Sequence, residues 1–233
     1  MRTLTALTCA ASLAAGIATS MAQSNVYSLN VVGYYNITIG AHQKIIICNQ
    51  LNTTNNTIAS LLLSPPVNDG DNLFKWGGAG FITDSYDGLD GYWTIDNVNP
   101  DTTTTLNPGE AAFYLPGSTE TLTFVGTVLQ GSLTNGLPLG HKVLVSSLVP
   151  QQGLVSTDLG VPPDDGDNLF TYNTTQSSQG YTTYTYDGLD GYWTVDNVNP
   201  NEPTIAVGQG FFYIKSAAAA PADAYWVRNF TVQ

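Results

Sequence analysis

Apolar and polar side chains alternate along residues 27–39, which is the pattern of one long amphipathic β-strand. Further strands, rich in β-branched and aromatic residues, are predicted at 121–128, 143–149, 183–186 and 226–232. Asp-Gly, Asn-Pro, Pro-Gly and Gly-Asp pairs separate these segments and are typical of tight turns. After residue 22 no segment has a convincing helical period, although 57–63 suits one helical turn and 216–222 is a linker with a helical tendency. The pattern predicts an all-β fold.

The chain contains an internal duplication that organises the whole sequence. Residues 85–100 recur at 185–200 with 14 of 16 positions identical. We therefore expect two tandem homologous β units, at 23–117 and 118–233, packed as a sandwich or barrel-like pair.

The preserved block contains the sequence Tyr-Asp-Gly-Leu-Asp-Gly-Tyr-Trp-Thr in both copies. It has stayed constant although the segment before it differs in length between the repeats. Three explanations remain open: the block has a function in each copy, its turn has strict backbone requirements, or gene conversion has kept the copies alike.

The two ends of the chain after residue 22 predict a pairing between terminal strands. The strand that ends at Gly33 is matched with 121–126, so the strand beginning at Trp226 is an additional copy that needs a partner. We expect the N-terminal strand to pair with it inside the same chain, because exposed sheet edges are usually covered. The alternative is pairing with a neighbouring molecule, which would build a filament by strand addition.

Residues 1–22 have the features of a secretory signal, with Arg2, an apolar run and small residues before a cleavage site after Ala22. The sequence thus predicts a secreted, extracellular or cell-surface protein with no membrane insertion after cleavage. The whole chain has 6 basic and 18 acidic residues, a net charge of −12. Such a charge disfavours nucleic acid and anionic lipid as partners and suits cations, neutral sugars or other proteins.

Three motifs in combination resemble a known group of proteins. They are the segment 25–35, the segment 208–212 with its double phenylalanine, and Trp226-x-Arg228-x-Phe230-x-Val232. Together they resemble an abundant group of uncharacterised two-repeat exported β proteins of verrucomicrobial bacteria, over essentially the whole chain after residue 22. The resemblance implies export and a bacterial source, and it implies no particular activity.

The preserved block offers a candidate sugar site in each repeat. Neighbouring strand residues face opposite sides, so one ring of each Tyr-Trp pair should be in the core and the other exposed. An exposed ring could stack on a sugar while nearby polar groups bind its hydroxyls; packing of both rings is the alternative. The candidate ligand-binding residues are Asp87, Asp90, Tyr92, Trp93, Asp96, Asn97, Asp187, Asp190, Tyr192, Trp193, Asp196 and Asn197.

Calcium is a possible cofactor, because carboxylates and loop carbonyls are the oxygen ligands that Ca²⁺ uses. The candidate metal residues are Asp69, Asp71, Asp165 and Asp167, which flank equivalent glycines in the two repeats. Ordinary Asp-Gly turns explain the same residues, and no EF-hand pattern is present in the sequence.

No catalytic residues are predicted, and we expect the protein not to be an enzyme. The two histidines, His42 and His141, occupy equivalent positions before a strand, which indicates a structural role. Cys48 lies in an apolar strand and is expected to be buried. Glutamate is scarce for a paired-carboxylate site, since the sequence has only Glu110, Glu120 and Glu202, and Glu110 becomes Gln209 in the second repeat.

The sequence thus favours a secreted structural or cell-surface protein that acts by protein–protein assembly, with copies of itself or surface proteins as partners. The alternative is a bivalent carbohydrate-binding module that uses the repeated loops with possible help from calcium.

Overall fold

The computed structural model describes residues 31–63, 65–174 and 179–232. The predicted signal at 1–22 and the start of the strand predicted at 27–39 lie outside the described residues. Within them the regular secondary structure is almost entirely β-strand, so the predicted all-β fold is confirmed.

The elements of the first repeat are β1 (Val32–Ile39), β2 (Ile45–Cys48), α1 (Ile58–Leu61), β3 (Asn72–Trp76), β4 (Phe81–Asp87), β5 (Tyr92–Thr94), β6 (Ala111–Leu115) and β7 (Glu120–Thr127). Those of the second are β8 (Gly131–Gly136), β9 (Lys142–Val145), β10 (Gly153–Leu154), β11 (Asn168–Asn173), β12 (Gly180–Asp187), β13 (Tyr192–Thr194), β14 (Thr204–Ile205), β15 (Phe211–Ile214), a 3-10 helix (Pro221–Ala224) and β16 (Tyr225–Phe230). The single helical turn predicted at 57–63 is confirmed as α1.

Each repeat builds one five-stranded antiparallel sheet with the same strand order. The order is β2-β6-β3-β4-β5 in the first repeat and β9-β15-β11-β12-β13 in the second. The preserved block joins the last two strands of each sheet through a turn that ends in a glycine with positive φ, 77° at Gly91 and 75° at Gly191. Glycine adopts this backbone conformation without steric cost. The duplicated sequence therefore gives a duplicated topology.

The terminal strands pair differently from the prediction. β1 pairs with β7, with Val32 opposite Thr127 and Ile39 opposite Glu120, whereas β16 pairs with β8. Each repeat thus begins and ends with one antiparallel pair of its own. The first repeat therefore extends to Thr127, beyond the predicted boundary at 117, and the predicted surplus strand and its pairing with the N-terminal strand are wrong. β8 has only one large apolar side chain, Leu133, so apolar–polar alternation did not reveal it as the partner of β16.

The two repeats meet around an approximate twofold axis, because the same contacts occur twice with the roles exchanged. Ile47 in the first repeat bridges to Gln209 in the second, while its equivalent Val145 bridges to Glu110, the equivalent of Gln209. Residues 32–233 form one compact unit that contains both repeats.

Equivalent residues face each other at this axis. Ser146 hydrogen-bonds to Cys48, its own counterpart, and burial raises the pKa of the Cys48 thiol to about 12. The predicted burial of Cys48 is confirmed. Gly210 lies against its counterpart Ala111 so closely that a Cβ added to Gly210 would be 2.3 Å from the Cβ of Ala111. The repeats are therefore packed as tightly as a single core.

Candidate functional site

The preserved block forms the loop between β4 and β5, and aspartate side chains fix its shape. The Asp87 carboxylate accepts the backbone N–H groups of Leu89 and Asp90 at 2.9 and 3.0 Å. The equivalent bonds in the second repeat measure 2.9 and 3.1 Å. Such side-chain-to-backbone bonds are the mechanism by which Asp stabilises a turn. The predicted Asp87 and Asp187 thus hold the loop in one conformation.

Asp69 and Asp165, two of the predicted metal residues, anchor this loop to the preceding turn. The Asp69 carboxylate accepts the N–H of Gly88 at 2.9 Å, and Asp165 accepts that of Gly188 at the same distance. A Cβ added at either glycine would lie 2.6 Å from the Cβ of its aspartate. The block therefore needs glycine at this position for close packing.

Asp71 and Asp167, the other two predicted metal residues, are fully buried and accept hydrogen bonds from protein donors. Asp71 accepts the N–H of Gly117 at 2.7 Å and the hydroxyl of Tyr114 at 3.1 Å. Asp167 accepts equivalent bonds and an additional one from Lys215 at 3.0 Å. In the part of the chain that the structure describes, no group of three or more His, Cys, Asp or Glu side chains is placed to hold a metal. Calcium binding stays a prediction.

Asp96 fixes the turn that follows β5. Its carboxylate accepts bonds from the backbone N–H groups of Val98 and Asn99, from the Asn99 side chain and from the Thr94 hydroxyl, all between 2.8 and 3.0 Å. These donors, those of Asn99 first, hold the pKa of Asp96 well below its usual range. Asn97 has a positive φ of 58°, and its counterpart Asn197 has 59°. Asp96 and Asp196 thus fix a turn that contains Asn97 and Asn197, and sugar binding by these four residues stays a prediction.

The Tyr-Trp pair divides between core and surface, as predicted, with tryptophan on the inside. Trp93 and Trp193 are each only 1% exposed. The indole N–H of Trp93 donates to the carbonyl of Leu62 at 3.0 Å, and that of Trp193 donates to the Ser156 hydroxyl at 2.9 Å. A buried indole has no free face for a sugar, so Trp93 and Trp193 are the core members of their pairs and the predicted stacking ring can only be the tyrosine. Strand alternation gives Tyr92 and Tyr192 the outward position.

Three apolar side chains of the block point into solvent in both repeats. Leu89 and Leu189 are each 94% exposed, and Val98 and Val198 are each 69% exposed. Ile95 and its counterpart Val195 are also exposed. We call residues 88–91 and 95–99, together with 188–191 and 195–199, the twin loops. Sequence reasoning missed these side chains, although the available signal was a leucine that is identical in both copies of a polar Asp-Gly turn.

A second surface, also missed from the sequence, lies where the repeats meet. It consists of equivalent aromatic and lysine side chains from each repeat, and we call it the aromatic–lysine face. Its members are Lys44, Phe74, Phe81 and Phe113 from the first repeat and Lys142, Phe170, Tyr181 and Phe212 from the second.

The aromatic–lysine face is built around the twofold axis. Phe113 and Phe212 are buried, with ring centroids 6.2 Å apart. Phe81 lies across both of them, at 5.6 and 6.3 Å, and Tyr181 does the same at 6.4 and 6.0 Å. Phe81 and Tyr181 remain 42% and 47% exposed. The face is therefore an apolar surface in which two partly exposed rings pack on two buried ones.

Each half of the face holds one lysine against aromatic rings. The Lys44 ammonium lies 4.3 Å from the ring centroid of Phe74 and 4.7 Å from that of Phe113. The Lys142 ammonium lies 4.9 Å from Phe170 and 4.1 Å from Phe212. Cation–π attraction holds both in place, and partial burial lowers the pKa of each lysine.

Neither lysine has a carboxylate partner among the described residues, where the ion pairs belong to Lys75 and Lys215. In a chain with 18 acidic residues, two unpaired ammonium groups at equivalent positions are an unusual concentration of uncompensated positive charge.

No family model, curated protein or solved structure matches this chain. The resemblance to exported verrucomicrobial proteins stays a prediction. Among the described residues no helix is long and apolar enough to cross a membrane.

Proposed function

We propose that this chain is a structural or cell-surface protein that assembles with protein partners through its twin loops. The observation that carries the proposal is the presence of Leu89 and Val98, and of Leu189 and Val198, as exposed apolar side chains that are the same in both repeats. Export through the predicted signal is part of the proposal.

The turn geometry does not account for these side chains. The loop's hydrogen bonds involve the backbone of Leu89 and Val98, so any residue could supply them. Two exposed apolar positions just before the block have diverged between the repeats: Ile82 corresponds to Thr182, and Phe81 corresponds to Tyr181. Retention of the exposed leucine and valine therefore favours a shared binding function over a shared turn alone.

Burial of these side chains in a contact would supply the binding energy. Removing a leucine side chain from water is worth about 1.5 to 3 kcal/mol. Two equal loops on one compact unit add the benefit of multivalent binding, in which the second contact forms at a high effective concentration. Exposed apolar groups rimmed by polar residues are typical of protein-binding surfaces.

The test is the assembly state of the purified protein after Leu89→Ser plus Leu189→Ser. We expect the double variant to sediment as a monomer at concentrations at which the unmodified protein forms oligomers or filaments. Loss of two buried leucines should weaken association by about 100-fold or more. Analytical ultracentrifugation and negative-stain microscopy would measure this change.

The matched control is Leu63→Ser plus Val227→Ser, which removes two apolar side chains of 59% and 51% exposure outside the twin loops. This control should assemble like the unmodified protein. Unchanged assembly of the loop variant, or a monomeric unmodified protein under all conditions, would refute the proposal.

Carbohydrate binding is a second candidate function, and a cavity in the second repeat favours it. A cavity of about 400 Å³ is lined by Tyr192, Tyr186, Thr157 and Glu202. Tyr192→Ala should then abolish binding on a glycan array, whereas Tyr92→Ala should have less effect because Thr102 replaces Glu202 in the first repeat. Equal binding by both variants and the unmodified protein would exclude this candidate.

A further inference from the structure

We infer that the twin loops of one molecule bind the aromatic–lysine face of a second copy of this chain. This inference rests on the proposed function and identifies the partner surface for the loops. It follows from the chemistry, number and placement of the two surfaces.

The chemistry of the two surfaces is complementary. Each twin loop presents an exposed leucine together with the exposed Asp90 and Asp96, or with Asp190 and Asp196 in the second repeat, and no basic residue lies in either block. The aromatic–lysine face presents exposed rings beside two ammonium groups that lack a carboxylate partner among the described residues. A loop seated there would bury its leucine on the rings and bring Asp90 toward a lysine. Opposite charges at such a contact select the partner and orient it.

The number of loops also agrees with the number of half-sites on the aromatic–lysine face. The face has two halves related by the axis between the repeats, each with one lysine and its own set of rings. The loops are related by the same duplication, since the whole block is repeated with the same turn hydrogen bonds. The two loops of one copy therefore match in number the two equivalent half-sites of the next.

The placement of the surfaces favours an open-ended assembly. Phe81 is the first residue of β4 and Asp87 the last, and seven residues of extended strand separate their ends by about 20 Å. A loop therefore cannot reach the face within its own repeat. A chain with two different complementary surfaces makes heterologous contacts, which give rings or filaments rather than closed pairs.

Partial dehydration of the lysines supports the same contact. Burial lowers the pKa of Lys44 and of Lys142, which means that the charged form of each lacks some of the stabilisation it has in water. A carboxylate from another molecule would restore that stabilisation. The contact should accordingly weaken as salt screens the charges, over a Debye length of about 10 Å at 0.1 M ionic strength.

The experiment combines two variants that disable opposite surfaces. The loop variant is Leu89→Ser plus Leu189→Ser, and the face variant is Lys44→Met plus Lys142→Met, which keeps the apolar stems. Each alone should be monomeric by analytical ultracentrifugation. An equimolar mixture should form a 1:1 complex and nothing longer, because the loop variant retains the face and the face variant retains the loops.

Two further variants exclude a folding defect. Lys44→Arg plus Lys142→Arg keeps the charge and the cation–π contact and should restore assembly to within about threefold of the unmodified protein. Ile82→Ser changes the exposed neighbour of Phe81 on the opposite side of β4 and should have no effect. Thermal unfolding of every variant confirms that it is folded.

The outcomes separate the two proposals. If the loop variant is monomeric but the face variant assembles normally, or if the mixture stays monomeric, this inference is overturned while the proposed function stands. If the loop variant assembles normally, both fail. Loss of polygalacturonate binding by the face variant, with assembly unchanged, would identify the face as a site for acidic glycans and overturn the inference.

Discussion

The two repeats keep the same buried aspartate but compensate its charge by different means. In the second repeat Asp167 is paired with Lys215, whose side chain is fully buried. In the first repeat Pro116 takes the place of that lysine, and Asp71 lies beside Glu120, whose pKa is raised to about 7 by burial and by the charge of Asp71. The charge of Asp167 is thus compensated by a lysine, whereas the charge of Asp71 raises the pKa of a neighbouring acid, Glu120.

A second acid pair makes the contrast larger. Asp84 is completely buried in the first repeat, and burial together with the neighbouring Asp101 raises its pKa to about 7. The equivalent residues of the second repeat are Tyr184 and Asn201, which carry no charge at neutral pH. The two repeats show that one fold accommodates buried acids either with an ion pair or with a second acid nearby. We expect the stability of the first repeat alone to change with pH near neutrality.

The largest effect is expected from removing the buried cation. Lys215→Met leaves Asp167 buried without its ion pair, and breaking a buried pair in this way costs about 3 to 5 kcal/mol. Urea unfolding at pH 7, followed by tryptophan fluorescence, would measure the loss. Lys75→Met is the control, because its pair with Glu110 is partly exposed and should contribute about 1 kcal/mol or less. Equal losses for the two variants would contradict the contrast between the repeats.

The next effect concerns pH. An acid whose pKa is raised by folding holds its proton in the folded state. Its contribution to the free energy of unfolding is therefore fully present below about pH 4, near the unfolded pKa, and is lost as the pH rises through the folded pKa of about 7. Asp84→Asn removes this loss and should raise the free energy of unfolding by about 4 kcal/mol at pH 8, with little change at pH 4. Unfolding curves at the two pH values would show it.

Tyr184→Phe in the second repeat is the control for that experiment, since it changes the equivalent position without an acid. Its effect on the free energy of unfolding should be the same at pH 4 and pH 8. A pH-independent effect of Asp84→Asn would mean that Asp84 is ionised throughout this range.

Much of this fold could be predicted from the sequence, because the patterns that indicate it are short-range. Strand alternation, Asp-Gly turns and the duplicated block are all short-range patterns, and they correctly indicated an all-β protein with two equivalent loops. The pairing of β1 with β7 was not accessible, because Thr121 and Thr38 lie in strands with the same alternation and their partnership depends on packing across the repeat.

The aromatic–lysine face was hidden for a different reason. Phe113 and Phe212 are 99 positions apart, and only the twofold packing of the repeats brings their rings to 6.2 Å. The signal that could have found it is the occurrence of Lys44 and Lys142 before equivalent strands, followed in each repeat by equivalent phenylalanines. Such a pattern becomes informative only when the axis relating the repeats is known.

The smallest effect tests that axis directly. Gly210→Ala should cost about 2 kcal/mol, because its Cβ would approach the Cβ of Ala111 and the side chain of Ile46 at 2.3 and 2.7 Å in a close-packed region. Ala111→Gly in the same molecule removes the opposing methyl group and should recover most of that loss, since the two positions are equivalent and face each other. Urea unfolding of the single and double variants measures the coupling between them. Losses that simply add would show that Ala111 and Gly210 do not compete for one space, and the twofold relation between the repeats would then fail at its centre.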